Sequence, residues 1–280
     1  MKFLPFLASA ALFSPSLASA TLIYGLTATN SLISFDSATP GTITSVGTIS
    51  QPGIVDIDFY PVNGALYGST SNGSLYRINL TTAAAALAVT PGTAIADITD
   101  IDFNPSADRL RLFGNVDQNY RMAPDVFTNN PPGTPGAVLL DGTWTNSAVT
   151  LVGSAYTNNF DGSAATQLFS IDSVSDQLFV HTNAVGDTPG TFNQVTAVGP
   201  LGFDAGLNVG FDIDQTGIAY LSNNNLLYSL NLGTGGATSI GTVGGAGLVS
   251  IAAVAVPETS SAALMLLTGL VAAGARRRRA

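Results

Sequence analysis

The chain predicts an all-β fold, a β-propeller of about five four-stranded blades closed by pairing of its N- and C-terminal strands. Three observations lead there. A unit reading strand, turn, strand, turn, strand, turn, strand recurs, most cleanly in Val209–Val243. The first copy lacks its opening strand, while an orphan apolar run follows the last copy. Charged residues are only 10% against 46% hydrophobic, with 30 Gly and 14 Pro. That composition suits short strands and tight turns rather than helices, whose wet faces want Glu, Lys and Arg.

The elements follow in chain order. Leu22–Leu26, Leu32–Phe35 and Ile43–Ile49 supply three strands of the first copy, and no Asp-x-Asp strand precedes them. Val55–Val89 is a full copy. It runs through Asp56-Ile57-Asp58, Leu66-Tyr67 and Leu75–Asn79, with Asn72-Gly73 as a hairpin turn whose central residues need positive φ. The third copy starts at Thr99 with Asp100-Ile101-Asp102-Phe103, then Leu110–Val116, Tyr120–Ala123 and Ala137–Leu140. The fourth runs through Val152–Thr157, Gln167–Ile171, Gln177–His181 and Gln194–Val198. In the fifth, Phe211–Asp214 alternates apolar and polar, and Ile218–Leu221, Leu226–Leu232 and Ala237–Val243 follow between turns rich in Gly and Asn. Val249–Val256 is the orphan. Laid beside Leu22–Leu26, it completes the first blade, seals the ring and removes two exposed sheet edges. A β-sandwich is the competing all-β arrangement, but it has no need of one unit repeated at this length.

The body, Thr21–Val256, is long enough for one sizeable β domain. Its 17 Asp, no Glu, no Lys and four Arg (Arg77, Arg109, Arg111, Arg121) give a formal charge of −13. Such a surface repels nucleic acid and suits cations or neutral partners. The chain has no Cys, so no disulfide can form.

Both ends read as targeting segments. Met1–Ala20 carries Lys2, an apolar run Phe3–Phe13 and a small-x-small site Ala18-Ser19-Ala20, the pattern of a secretory signal peptide. At the other end, Val256-Pro257-Glu258 is followed by Thr259-Ser260-Ser261, an apolar run Ala262–Ala275 and Arg276, Arg277, Arg278 and Arg279. This end, residues 257–280 with Val256, resembles the PEP-CTERM sorting tails of exopolysaccharide-producing Gram-negative bacteria. It departs from them at Thr259, where that family usually has a second Pro. The resemblance implies export, recognition by an exosortase-like membrane protease, and cutting near the motif. Independently, about fourteen apolar residues are short for a membrane span, and four Arg hold that end in the cytoplasm. The membrane contact is therefore transient, or permanent if the tail stays uncut, and the body lies outside either way. The body itself resembles a bacterial family of uncharacterised secreted domains. The phrases Tyr24-Gly25-Leu26, Asp100–Arg111 and Ser154–Asn159 carry the likeness, which implies a propeller-like repeat and no known activity.

The chemistry to be found is sparse. His181 is the single His and has no Ser partner evident by spacing, nor is there a Gly-x-Ser-x-Gly elbow. One His and no Cys cannot build a zinc site. Lys2 is the single Lys, which excludes a Walker loop. The recurring Tyr residues read as core packing. That leaves three Asp-x-Asp pairs, Asp56/Asp58, Asp100/Asp102 and Asp212/Asp214, each projecting two carboxylates from one strand face. On innermost strands they would line the channel mouth and suit Ca²⁺, the one cofactor the sequence suggests. The competing reading is that each Asp accepts backbone N–H bonds in the turn that follows it. Asp212-x-Asp214-x-Thr216-Gly217 opens like a calcium loop, but Asn223 stands where an EF-hand needs Glu. Arg109 and Arg111, two apart, offer a clamp for an anionic group, but are expected rather to pair with Asp100, Asp102 or Asp108.

Two functions follow. One is an exported cell-envelope or extracellular-matrix protein, a non-catalytic propeller that binds extracellular polysaccharide or another partner. The other is a calcium-dependent hydrolase or lyase with an Asp-lined channel. The enzyme reading requires that Asp pairs meet in one pocket with His181 or an Arg beside them.

Overall fold

The computed structural model describes residues 20–114, 118–124, 134–144, 149–245 and 247–255. The segments expected to be a signal peptide, up to Ser19, and a sorting tail, from Val256 onward, lie outside the described residues.

The described residues form five four-stranded antiparallel sheets, the blades of a five-bladed β-propeller. Blade I holds β1 (Thr21–Thr27), β2 (Ser31–Asp36) and β3 (Ile43–Thr48), and takes its innermost strand from the far end of the chain, β20 (Leu248–Ala255). Blade II is β4 (Ile54–Tyr60) to β7 (Ala85–Val89), with β5 (Ala65–Thr70) and β6 (Leu75–Ile78) between. Blade III is β8 (Ile98–Asn104), β9 (Arg109–Gly114), β10 (Asn119–Met122) and β11 (Val138–Leu140). Blade IV is β12 (Leu151–Tyr156), β13 (Leu168–Asp172), β14 (Gln177–Thr182) and β15 (Gln194–Pro200). Blade V is β16 (Val209–Ile213), β17 (Ala219–Asn223), β18 (Leu226–Leu230) and β19 (Ala237–Thr242). Ring closure is the pairing of β20 with β1, in which Leu22 lies opposite Val254 and Leu26 opposite Ser250. The innermost strands follow one another around the axis as β20, β4, β8, β12, β16 and back to β20.

Burial grades outward, as the hydrophobic pattern demands. β16 is buried along its whole length, whereas the outermost strands β3, β7 and β19 are mostly exposed or half-buried. The exposed edges are blunted by bulges. In blades I, II, IV and V the register slips where the third strand meets the fourth, at Leu32/Ile33, Leu75/Tyr76, Leu178/Phe179 and Leu227/Tyr228. A bulge adds twist and spoils the edge for pairing with another chain.

The apolar core is divided among the joints between blades. Leu26, Ile57 and Leu66 fill the joint of blades I and II. Tyr67, Ile101 and Leu112 fill that of II and III. Phe169, Phe211 and Leu221 fill that of IV and V, and Ile23, Tyr220 and Ile251 that of V and I. The joint of blades III and IV has the smallest apolar set, Phe113, Leu151, Tyr156 and Leu168. Polar side chains fill the rest of it.

Near the axis space is tight enough to dictate residue size. A Cβ on Gly210 of β16 would lie 2.5 Å from the Ile251 nitrogen and 2.7 Å from the Ser250 carbonyl carbon of β20. Only a glycine lets those two backbones meet there.

Candidate functional site

The innermost strand of a blade pairs on one side only, so its other N–H groups need acceptors inside a narrow channel. The Asp-x-Asp residues supply them across blades. At the first level, Asp56 Oδ2 accepts Ile101 N–H of blade III at 2.6 Å. Asp100 Oδ1 accepts Ser154 N–H of blade IV at 3.0 Å, and its Oδ2 accepts the Ser154 hydroxyl. Ser250 Oγ accepts Ile57 N–H of blade II at 3.1 Å. At the second level, Asp58 Oδ2 accepts Phe103 N–H at 2.7 Å and Asp102 Oδ1 accepts Tyr156 N–H at 3.1 Å. Asp212 Oδ2 accepts Ala253 N–H of blade I at 2.6 Å. Each carboxylate thus stitches its blade to the next, and the acceptor role expected within the following turn is performed between strands instead.

Asp214 stands apart. It follows the end of β16, where its Oδ1 accepts Thr216 and Ile218 N–H and its Oδ2 accepts the Thr21 hydroxyl at 2.9 Å. Strand register explains why. Asp58 lies opposite Tyr67, and Asp212 lies opposite Tyr220. Asp212 is therefore the counterpart of Asp58, and Gly210 the counterpart of Asp56. Pairing Asp212/Asp214 with Asp56/Asp58 is two residues out of frame. The tyrosine spacing carries that signal in the sequence.

The second level brings three blades together. One oxygen each from Asp58, Asp102 and Asp212 lie within 4.8 Å of one another, and all three residues are buried. Two unit charges at that separation repel by about 3 kcal/mol at an effective dielectric near 20. Burial, then the neighbouring carboxylates, push Asp58 and Asp102 well above the usual carboxylate range. Burial lifts Asp212 to about 7 and Asp100 to about 6. Asp56 is raised well above its ordinary value by burial and then by the charge of Asp100.

Among the described residues no Arg neutralises this column. Arg111 and Arg121 both hold Asp141, with closest approaches of 2.6 Å, at the joint of blades III and IV. Arg109 donates to the Asp108 carbonyl at 3.0 Å, and Arg77 is exposed on β6. The expected pairing of Arg111 with Asp100, Asp102 or Asp108 is therefore replaced by Asp141. Its other bonds go to Asn119 Oδ1, the Tyr156 hydroxyl and the Gly190 carbonyl. In the same joint His181 has a partner that spacing did not reveal, Ser170 Oγ at 2.7 Å from Nε2. Ser170 and His181 are 0% and 2% exposed, and Phe113 and Trp144 close over the imidazole. Among the described residues this Ser–His pair of blade IV is closed off from solvent at the joint with blade III.

Two openings flank the carboxylate column. Above its first level lies a mouth of about 490 Å³ to which every blade contributes, among them Asn30, Val55, Thr99, Val152, Asn208 and Val249. None of the described residues that line it is titratable. Below the second level is a cavity of about 40 Å³ lined by Phe59, Tyr60, Asn159, Gln215 and Ala253. A groove of about 580 Å³, containing Arg77, Asn63 and Asn79, draws on blade II alone.

A family model described as a domain of unknown function, DUF4394, matches residues 31–255. Solved structures also align with the chain. One, described as "The de novo evolutionary emergence of a symmetrical protein is shaped by folding constraints", superposes with a TM-score of 0.52 at 13% identity, over 82% of this chain and 97% of that one. A structural genomics protein of unknown function from Bacteroides thetaiotaomicron VPI-5482 has a TM-score of 0.48 at 11% identity, with 83% of this chain and 62% of that one covered. An auxiliary nutrient binding protein from the same organism gives 0.40 at 15% identity, with coverages of 71% and 56%. None of the curated proteins matches the chain.

Proposed function

The chain belongs to the DUF4394 family of domains of unknown function, and we propose that it is an exported, non-catalytic binding propeller of the cell envelope or extracellular matrix. The observation that carries the reading is the mouth of about 490 Å³, built by all five blades and lined, among the described residues, by uncharged side chains. Concave, largely apolar sites with a few polar groups are where small ligands and chain ends bind. Thr99, Thr150 and Asn208 offer hydroxyl and amide groups there, and Asp56 and Asp100 lie one residue deeper along their strands. The acidic body disfavours an anionic ligand, and the ligand proposed is an uncharged stretch of extracellular polysaccharide.

The hydrolase or lyase alternative asks for His181 or an Arg beside the converging carboxylates. His181, Arg111 and Arg121 instead serve the joint of blades III and IV. That division of labour favours binding.

The test is retention on immobilised neutral exopolysaccharide. The wild-type protein is expected to be retained, and Val152→Trp, which fills the mouth from a half-buried position, is expected to lose at least tenfold in affinity while keeping its thermal midpoint. Equal retention of both proteins would remove the mouth as the seat.

Sorting belongs to the same reading. Val256-Pro257-Glu258 and Arg276–Arg279 direct the protein to an exosortase-like protease, which cuts the tail after export. Mass spectrometry of the exported protein is expected to give a chain starting at Thr21 and ending close to Val256–Glu258. A mass that includes Arg276–Arg279 would mean a permanent anchor.

A further inference from the structure

The geometry points to a divalent cation site of calcium chemistry on the propeller axis, formed by Asp58, Asp102 and Asp212 with Asn159 beneath them. The three carboxylate oxygens that converge within 4.8 Å come from blades II, III and V, so an ion held there pins blades that are not all neighbours in the ring. Every charged group of the set is a carboxylate, and hard cations take oxygen ligands at about 2.3–2.6 Å for Ca²⁺. Each oxygen already accepting one N–H bond keeps a second lone pair for a metal.

Asn159 is the independent observation. Its residue is 4% exposed, and its Nδ2 donates to the Ile213 carbonyl, one residue from Asp212, at 3.5 Å. Its Oδ1 is buried without a hydrogen-bond partner. Asn159 lines the cavity of about 40 Å³ together with Phe59 and Ala253. Those two residues donate their N–H groups to Asp58 and Asp212. An amide oxygen buried without a donor calls for a cation or an ordered water. The cavity has room for water to complete the ion's coordination, since one water needs only about 10–15 Å³ of such space.

This site is separate from the mouth, and the two readings stand or fall apart: polysaccharide retention is measured in chelator, cation binding without glycan. The full exported protein, stripped with EGTA, is titrated with CaCl₂ and separately with MgCl₂, following thermal midpoint and bound metal. One Ca²⁺ per chain is expected, with a rise in midpoint of at least 5 °C and a weaker response to Mg²⁺. Asp102→Asn keeps an oxygen for Tyr156 N–H but removes the charge, and should weaken Ca²⁺ binding at least tenfold. Asp214→Asn, outside the cluster, should leave it unchanged. Absence of stoichiometric Ca²⁺ on the wild-type protein overturns the assignment without reliance on any variant folding. So does an Asp102→Asn protein that binds as the wild type does.

Discussion

A chain ending at Gly247 is expected to lose its cooperative unfolding transition, whereas one ending at Ala255 keeps it. The lost segment is β20, the innermost strand of blade I, and it is held by the opposite end of the chain. Its removal exposes a full edge of β1, whose Leu22–Leu26 pair with Val254–Ser250. It also strips Leu248, Ile251, Ala252 and Ala253 from the cores, all 3% exposed or less. Burying a Leu or Ile contributes about 1.5–3 kcal/mol. Two such residues with two alanines therefore amount to roughly 5 kcal/mol. Ile57 N–H loses Ser250 Oγ, and Asp212 loses Ala253 N–H, leaving a buried donor and a buried carboxylate short of partners. Each such loss costs about 1–3 kcal/mol. Together these approach the whole stability of a typical domain, about 5–15 kcal/mol. The measurement is a thermal melt followed by far-UV circular dichroism, with gel filtration for the aggregation that an open edge invites. A synthetic peptide spanning 248–255 should restore the transition in trans. A truncated chain melting at the same midpoint as the control would show that the ring does not depend on this closure.

The closure was legible because repetition makes a gap visible. Four copies of the unit define a frame, the first copy lacks its first strand, and Val249–Val256 is the apolar run of the body left without a blade. The same frame misled at Asp212-Ile213-Asp214. There the Asp-x-Asp phrase recurs, but the strand pairing of Asp212 with Tyr220 shows it displaced by two residues. Hydrophobic period alone cannot detect a shift of two, because it returns every side chain to the same face. What the carboxylates do was not legible either. Their partners Ile101, Phe103, Ser154, Tyr156 and Ala253 lie 41 to 54 residues away on the next blade. Only the ring brings them near. Asp141, the partner of Arg111 and Arg121, is likewise 30 and 20 residues distant, with an insertion between. Ser170 and His181 meet because β13 and β14 pair Leu168 with His181, a register no local pattern announces.

That joint of blades III and IV is where stability should depend most on acid. His181 is 2% exposed; its Nδ1 lies 2.9 Å from the Phe192 carbonyl and its Nε2 2.7 Å from Ser170 Oγ. The neutral imidazole satisfies both, with Nδ1–H donating to the carbonyl and Nε2 accepting from the hydroxyl. The ring lies stacked over Phe113 and edge-on to Trp144. Burial, aided by the charge of Arg111, brings its pKa down to about 3 against a bond to Phe192 that raises it. An unfolded His titrates near 6.5. Above that value neither state is protonated and His181 adds no pH dependence. Below it the unfolded chain takes up a proton that the folded chain refuses. Stability then falls by about 1.4 kcal/mol per pH unit until the folded pKa is reached. The full loss is on the order of 4–5 kcal/mol by pH 3. The raised carboxylates act with the opposite sign, because the folded state holds their protons, Asp212 from about 7 and Asp100 from about 6. They are common to the wild type and to His181→Gln, so subtracting the two unfolding free energies isolates the imidazole. Urea titrations at pH 7.5, 6.5, 5.5 and 4.5 should show a gap between the proteins that is constant above 6.5 and then narrows or reverses, by about 2–3 kcal/mol at pH 4.5. Parallel curves across that range would mean that the folded imidazole takes up its proton at the same pH as the unfolded one, and would overturn the depressed pKa.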